Sequence, residues 1–158
     1  MRSVDRVRAY FAQRGLNIQV KELALSTRTA QLAADAVGTT LGSIVKSLVF
    51  VTGDDQTILA LVAGDQRADA AKIAQHLGAS SVRLANGDEV RARTSYAIGG
   101  VPPVAHPNPL LTLIDRTLLR FDSVWAAAGA PNALFEIERK TLVDLTQGRV
   151  EDIVINVS

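Results

Sequence analysis

The sequence predicts a single-domain α+β fold in which helices pack around a mixed β-sheet. Its 158 residues are the usual size of one domain, and no repeat or linker divides them. Strand and helix patterns are interleaved without a regular strand–helix–strand order, which argues against a doubly wound parallel sheet. We therefore expect one domain that spans residues 1–158.

Five segments carry the periodicity of helices, and glycines or polar caps mark their ends. Gly15, Gly38 and Gly78 each follow such a segment, and Asn86-Gly87-Asp88-Glu89 is typical of a capping box. The predicted helices cover residues 3–14, 30–37, 69–77, 86–93 and 140–146.

The strongest strand pattern is the segment 44–52, which is mostly apolar on both faces. Such a strand belongs in the interior of a sheet. The turn residues Gly53-Asp54-Asp55 follow it, so it should pair with the next apolar run as a buried hairpin. Other predicted strands cover residues 18–24, 57–63, 81–84, 110–114, 122–127, 133–137 and 152–157.

Composition excludes several classes of protein. Hydrophobic residues make up 47% of the chain, which is ordinary for a globular domain. The absence of cysteine excludes a disulfide-stapled fold and thiolate zinc sites. No apolar stretch approaches the roughly 20 residues that span a bilayer, and no signal core follows the first residues. We expect a cytoplasmic protein without a membrane partner.

The net charge of +1 limits how the chain can contact nucleic acid. Proteins that wrap DNA or RNA broadly carry a basic excess, so any RNA contact should be local and no DNA partner is expected. Phosphate-binding glycine motifs, nucleophile elbows and metal-binding histidine motifs are missing. If the chain is an enzyme, we expect neither a metal, nor a cofactor, nor a covalent nucleophile.

Lys46 is one of four lysines, and it lies inside the strongest strand. Because an unpaired buried ammonium is very costly, this side chain must reach solvent or meet an anion. The pattern leaves two interpretations open: a lysine whose stem extends to the surface, and a functional anion contact.

A loop rich in glycine and proline begins at Gly99-Gly100-Val101-Pro102-Pro103 and reaches His106. Glycines allow a ligand to approach the backbone closely, and backbone N–H groups of such a loop can bind an oxyanion or a carbonyl. A rigid surface turn is the simpler alternative. His106 could act as a general base or stack on RNA, although a loop histidine is more often just exposed.

The small residues Ala126 to Ala130 could border a pocket that accepts a small group, or they could reflect tight strand packing. Thr27 and Asn132 lie near element ends, where a cap or turn residue is the default interpretation.

Taken in order, these motifs resemble the YbaK/prolyl-tRNA editing domain family. The resemblance is carried by Lys46 within Gly42–Phe50, by the loop Gly99–Pro103, and by the glycine-containing stretch 126–132. It runs from about residue 26 to 155, and no synthetase or anticodon-binding part accompanies it. The chain is thus similar to the stand-alone trans-editing deacylases, of which some are named as prolyl-tRNA synthetase-associated proteins.

The resemblance implies a strongly curved, barrel-like mixed sheet and hydrolysis of mischarged aminoacyl-tRNA, often tRNA for proline. It implies that Lys46 engages the terminal adenosine and that Gly99, Gly100 and Val101 hold the aminoacyl carbonyl. Some relatives carry a histidine in the stretch that here contains Gly129, and its absence leaves the substrate open. The substrate-binding residues expected on this basis are Thr27, Ser47, Phe50, Pro102, Pro103, His106, Ala128, Gly129 and Asn132.

An aminoacyl ester is already activated, so positioning a water and stabilising the oxyanion can suffice for hydrolysis. The expected partner is the acceptor 3′ end of an aminoacyl-tRNA carrying a small amino acid, and a synthetase partner is left open. Two alternatives remain: a module that binds aminoacyl-tRNA or a nucleotide without turnover, and a domain that docks on a synthetase.

Overall fold

A computed structural model describes residues 1–24 and 29–156. In this part of the chain, five α-helices and eight strands are present, together with two short 3₁₀ turns. The helices are α1 Ser3–Gln13, α2 Ala30–Val37, α3 Ala70–Leu77, α4 Gly87–Thr94 and α5 Arg139–Thr146. The strands are β1 Val20–Glu22, β2 Val45–Thr52, β3 Thr57–Ala63, β4 Val82–Leu84, β5 Leu111–Asp115, β6 Ser123–Ala127, β7 Ala133–Glu138 and β8 Arg149–Glu151.

A five-stranded mixed sheet has the order β4-β2-β3-β5-β8. The predicted hairpin is confirmed, because β2 and β3 pair antiparallel from Val45–Ala63 to Val51–Thr57. The pairs β3–β5 and β5–β8 are parallel, which makes the sheet mixed. The α+β class and the mixed sheet are therefore confirmed.

A second, three-stranded antiparallel sheet has the order β1-β7-β6. It meets the first sheet at an isolated parallel bridge between Ile44 and Trp125. The strands of the described residues thus form two sheets that meet at one bridge, and they do not close a barrel.

Strand β2 contributes to two hydrophobic cores. Val45, Val49 and Val51 lie in the main core, whereas Phe50 lies in a second core on the opposite face. The alternation predicted from the sequence therefore holds, and the strand is interior because β3 and β4 flank it. Lys46 lies in the first half of this strand, before the part that pairs with β4.

The first helix covers the smaller sheet. Val4, Val7 and Phe11 are buried on one helical face, and the rings of Phe11 and Phe135 lie 4.9 Å apart between centroids in an edge-on arrangement. The predicted capping box is also present, since Asn86 and Glu89 exchange hydrogen bonds at the start of α4. None of the described helices combines the length and apolarity needed to cross a bilayer.

Over the described residues 152–156, the strand predicted for 152–157 is wrong: β8 ends at Glu151, and Val154 forms only an isolated bridge with Ala68. Residue 157 lies outside the described residues. Beyond β8, the N–H of Ile153 donates to the Asp115 carboxylate at 2.9 Å, and the two buried residues Ile153 and Val154 join the second core. A side chain therefore satisfies a backbone group that strand pairing would otherwise have satisfied. The same carboxylate accepts a hydrogen bond from the N–H of Thr117 and starts a 3₁₀ turn that was not predicted.

Candidate functional site

A cavity of about 380 Å³, which we call the inner cavity, opens beside the first half of β2. Strand β4 pairs with β2 only from Phe50 to Thr52, so the first half of β2 has no partner on that side among the described strands. Lys46, Gly99 and Val101 all line this space. The structure thus brings together the two motifs that lie more than fifty residues apart in the sequence.

Lys46 lies at the boundary between the inner cavity and a larger groove of about 990 Å³, because it lines both. The side chain is half-buried, and its ammonium donates a hydrogen bond to the backbone carbonyl of Gln66. Burial lowers the pKa of Lys46, the nearby Asp65 carboxylate raises it, and Arg67 lowers it further. An anion bound here would offset the burial of the charge.

Two residues of the turn Gly99–Pro103, Gly99 and Val101, line the inner cavity. Gly99 has a φ of +86°, a conformation that favours glycine. The N–H groups of Gly99 and of the buried Val101 have no hydrogen-bond partner among the described residues. An unpaired amide in a buried position such as that of Val101 is rare, whereas Gly99 is exposed and its amide is open to a ligand. Both amides are therefore candidates to bind a carbonyl oxygen.

Gly100 was predicted to help hold a carbonyl, but its backbone amide is already paired. Its N–H donates to the carbonyl of Ala97 at 2.9 Å, so this amide is not free. A Cβ on Gly100 would lie 2.8 Å from the Cα of Ala130, and the N–H of Gly129 donates to the Gly100 carbonyl at 3.0 Å. Gly100 therefore lets the stretch that follows β6 pack directly against the turn.

Of the small residues predicted to border a pocket, Ala126 to Ala130, only Ala127 lines the inner cavity, and the residues that follow β6 pack against the turn instead. Ala128 is fully buried in the main core. Gly129 has a φ of +97° and lies against the carbonyl of Ser3. Asn132 donates from its side-chain amide to the carbonyl of Leu23 at 3.0 Å. The small residue that does line the cavity is Ala127, one position before Ala128.

The other predicted substrate-binding residues fall in different places. Ser47 lines the inner cavity, and its buried hydroxyl has no hydrogen-bond partner in the described part of the chain. Such an unpaired group costs about 1–3 kcal/mol, which a substrate hydrogen bond would offset. Phe50 is buried in the second core, away from the cavity lining. Pro102 and Pro103 are buried within the turn and do not line the inner cavity. Thr27 lies outside the described residues.

His106 is half-buried, which corrects the expectation of an exposed loop histidine. Its Nε2 lies 2.7 Å from the carbonyl of Pro102, so Nε2 carries the hydrogen. Its Nδ1 is buried without a partner among residues 1–24 and 29–156, and its ring meets the ring of Tyr96 edge-on at 5.5 Å. Burial is the main reason that the pKa of His106 is lowered. The neutral ring thus fastens the second half of the turn.

Protonation of His106 is expected to destabilise the protein at acid pH. Because the pKa is lower in the folded state than the unfolded value of about 6.5, folding favours the neutral ring. This stability is complete above about pH 6.5 and is lost as the pH falls through the folded pKa. Between about pH 8 and about pH 5, the free energy of unfolding measured with denaturant should fall more for the natural protein than for His106→Gln. Equal losses would contradict the assignment.

Several residues of the cavity wall were not predicted from the sequence. Ile98 stands exposed beside Gly99, and Ala33, Ile44, Leu48 and Leu134 supply further apolar surface. The wall is therefore mainly apolar, with polar groups concentrated at the lysine and the turn. In the described residues, no three histidine or acidic side chains are grouped so that they could hold a metal ion.

Residues 25–145 match the model of the aminoacyl-tRNA editing domain family. The uncharacterized protein YwhH of Bacillus subtilis is 34% identical over 148 residues, which cover 94% of each chain. The multifunctional Ser/Thr-tRNA deacylase ProXp-y of Escherichia coli K12 is 38% identical over 97 residues, 58% of each chain. A crystal structure described as a candidate trans-editing enzyme for prolyl-tRNA synthetase superposes with a TM-score of 0.91 at 45% identity, with 98% of each chain covered.

The matched segment includes Lys46, the Gly99–Pro103 turn and the residues that follow β6, and the similar structure covers nearly the whole fold. The resemblance inferred from the sequence is confirmed by both comparisons. The chain belongs to the aminoacyl-tRNA editing domain family.

Proposed function

We propose that this protein is a trans-editing hydrolase that deacylates mischarged aminoacyl-tRNA. The observation that carries the proposal is the shared cavity, which is lined both by the half-buried Lys46 and by Gly99 and Val101, whose backbone amides are unpaired among the described residues. The named relatives support it, since one is a Ser/Thr-tRNA deacylase and another is described as a candidate trans-editing enzyme.

In the proposed mechanism, the Lys46 ammonium binds the phosphate or ribose of the terminal adenosine. The amides of Gly99 and Val101 donate to the ester carbonyl and stabilise the oxyanion that forms when water adds to the carbonyl carbon. The bond between that carbon and the ribose oxygen then breaks. The ribose oxygen leaves with a proton that comes from the attacking water, directly or through the neighbouring ribose hydroxyl. The products are the free amino acid and uncharged tRNA.

The inner cavity offers mainly apolar walls to the side chain of the amino acid. Ala33, Ala127 and Leu134 supply apolar surface, while Ser47 offers one unpaired hydroxyl. Because one methylene in such a pocket is worth only about 1–3 kcal/mol, discrimination among small amino acids should be modest. We propose tRNA for proline carrying a small non-cognate amino acid as the substrate, with its acceptor 3′ end as the part recognised.

A single-turnover deacylation assay tests the proposal. tRNA for proline is charged in turn with alanine, serine, cysteine, threonine and proline, and the rate with purified protein is compared with the rate in buffer. We expect faster release of at least one small non-cognate amino acid than of proline. Tight binding without release would instead indicate a non-catalytic binding module, and neither binding nor release would exclude the proposed substrate.

A further inference from the structure

The groove of about 990 Å³ continues outward from Lys46, and we call it the outer groove. Its lining includes Gly64, Gln66 and Arg67 after β3, Arg116 and Thr117 after β5, and Asn156 near the end of the described chain. Because Lys46 lines both spaces, the outer groove adjoins the inner cavity at this residue.

Among the described residues, two carboxylates line the outer groove, and both are paired with cations that lie outside its lining. Asp65 binds the guanidinium of Arg120 at 2.8 Å. Asp152 binds the ammonium of Lys72 at 3.1 Å. The negative charge of the groove is therefore largely neutralised before any ligand arrives.

The cations of the outer groove are much less compensated. The exposed Arg67 side chain forms no ion pair within the described ranges 1–24 and 29–156. Arg116 is exposed and lies 3.7 Å from Asp152, a carboxylate that Lys72 already holds more closely. Arg67 also acts on Lys46 electrostatically, because its positive charge lowers the pKa of Lys46. In a chain of net charge +1, this is a local concentration of positive charge.

The polar lining has donors for phosphates and sugars but no aromatic platform. Gln66, Thr117 and Asn156 offer side-chain hydrogen-bonding groups, and no aromatic residue of the described chain lines the groove. Single-stranded nucleic acid that is bound without stacking is held through its backbone, largely independently of base sequence.

From this arrangement we infer that the outer groove binds the phosphodiester backbone of the single-stranded nucleotides that precede the terminal adenosine, with Arg67 and Arg116 as phosphate ligands. The inference rests on the proposed function, since it assumes that the terminal adenosine enters the inner cavity. It adds a second site for the same RNA, one that contributes affinity and not chemistry.

A binding assay with uncharged tRNA tests the groove without requiring turnover. The affinity of the natural protein and of Arg67→Ala is measured for tRNA with an intact 3′ single strand and for the same tRNA with those nucleotides removed. Loss of one charged hydrogen bond should weaken binding of intact tRNA about tenfold. The slope of log affinity against log salt should become shallower by about 0.7, the value for one contact to a single strand. Binding of the truncated tRNA should not change.

Arg83→Ala is the matched control, because Arg83 is also exposed but lies on β4, at the opposite edge of the sheet from β8, where it pairs with Glu89. It should bind both tRNAs as the natural protein does. The inference is overturned if Arg67→Ala and Arg116→Ala leave the affinity for intact tRNA unchanged, or if they weaken binding of the truncated tRNA equally. Failure of the proposed function has a different signature: the natural protein would release no amino acid, whatever the variants do to binding.

Discussion

Lys46→Ala is expected to lower the single-turnover rate of deacylation by about 10²-fold, because the ammonium positions the adenosine and a misplacement of the ester near 1 Å can cost that much rate. The variant removes the half-buried cation that lines both the inner cavity and the outer groove. Since burial of this ammonium disfavours its charged form, its loss should not destabilise the fold. The measurement is the rate at saturating protein, with thermal unfolding as a check on folding.

Lys140→Ala serves as the control for Lys46, because Lys140 lies at the start of α5 and lines neither cavity. Lys46→Arg retains the positive charge with a different shape, and its deacylation rate should lie between the rates of Lys46→Ala and Lys140→Ala. Full activity in Lys46→Ala would reject the role of this lysine in catalysis and would favour the interpretation that its stem simply reaches the surface.

Gly100→Ala is the second change for which we expect a large effect. The new Cβ would lie 2.8 Å from the Cα and 3.0 Å from the N of Ala130, and backbone atoms cannot rotate away as a side chain can. The turn must therefore shift and carry the amides of Gly99 and Val101 with it. A misplacement near 1 Å can cost about 10²-fold in rate, and overpacking of this kind costs about 1–3 kcal/mol in stability.

Gly87→Ala is the matched glycine control, because a Cβ added there would meet no neighbouring atom within 4 Å and the φ of Gly87 is not positive. The deacylation rate and the denaturant unfolding of Gly100→Ala are compared with those of Gly87→Ala. The comparison separates a general effect of the added methyl group from the clash with Ala130. If Gly100→Ala deacylates as fast as the natural protein, the close packing of the turn against Ala130 is not needed for catalysis.

Local sequence signals predicted most of the elements well. The long apolar segment around Val49 forms an interior strand because both of its faces enter hydrophobic cores. Gly38 and Gly78 end α2 and α3 in the left-handed conformation, as glycines after helical patterns are expected to do. Asn86 and Glu89 form their capping box within a few residues of chain. These features depend on neighbours in sequence, which is why they could be predicted.

Features that depend on distant residues were missed. The apolar residues Ile153 and Val154 suggested a strand, but the Asp115 carboxylate takes over one of their backbone hydrogen bonds. His106 was expected to be exposed, yet the ring of Tyr96 covers it. A local sequence pattern does not predict a contact between residues that only the tertiary fold brings together.

The candidate site was predicted only in part, because some of its features also depend on contacts between distant residues. Lys46 and the turn were identified from unusual residue types, and the structure places both at one cavity. The roles of Gly100 and Gly129 could not be deduced, since they follow from the packing of one turn against another. Ile98 and Leu134 are ordinary apolar residues in the sequence, and only the fold makes them cavity wall.

The most direct test is a crystal structure with a non-hydrolysable 3′-aminoacyl-adenosine analogue that carries alanine. We predict that the aminoacyl group occupies the inner cavity, with its carbonyl oxygen within hydrogen-bonding distance of the Val101 N–H and the ribose or phosphate beside the Lys46 ammonium. An analogue bound elsewhere, with the inner cavity empty, would contradict this placement of the reaction.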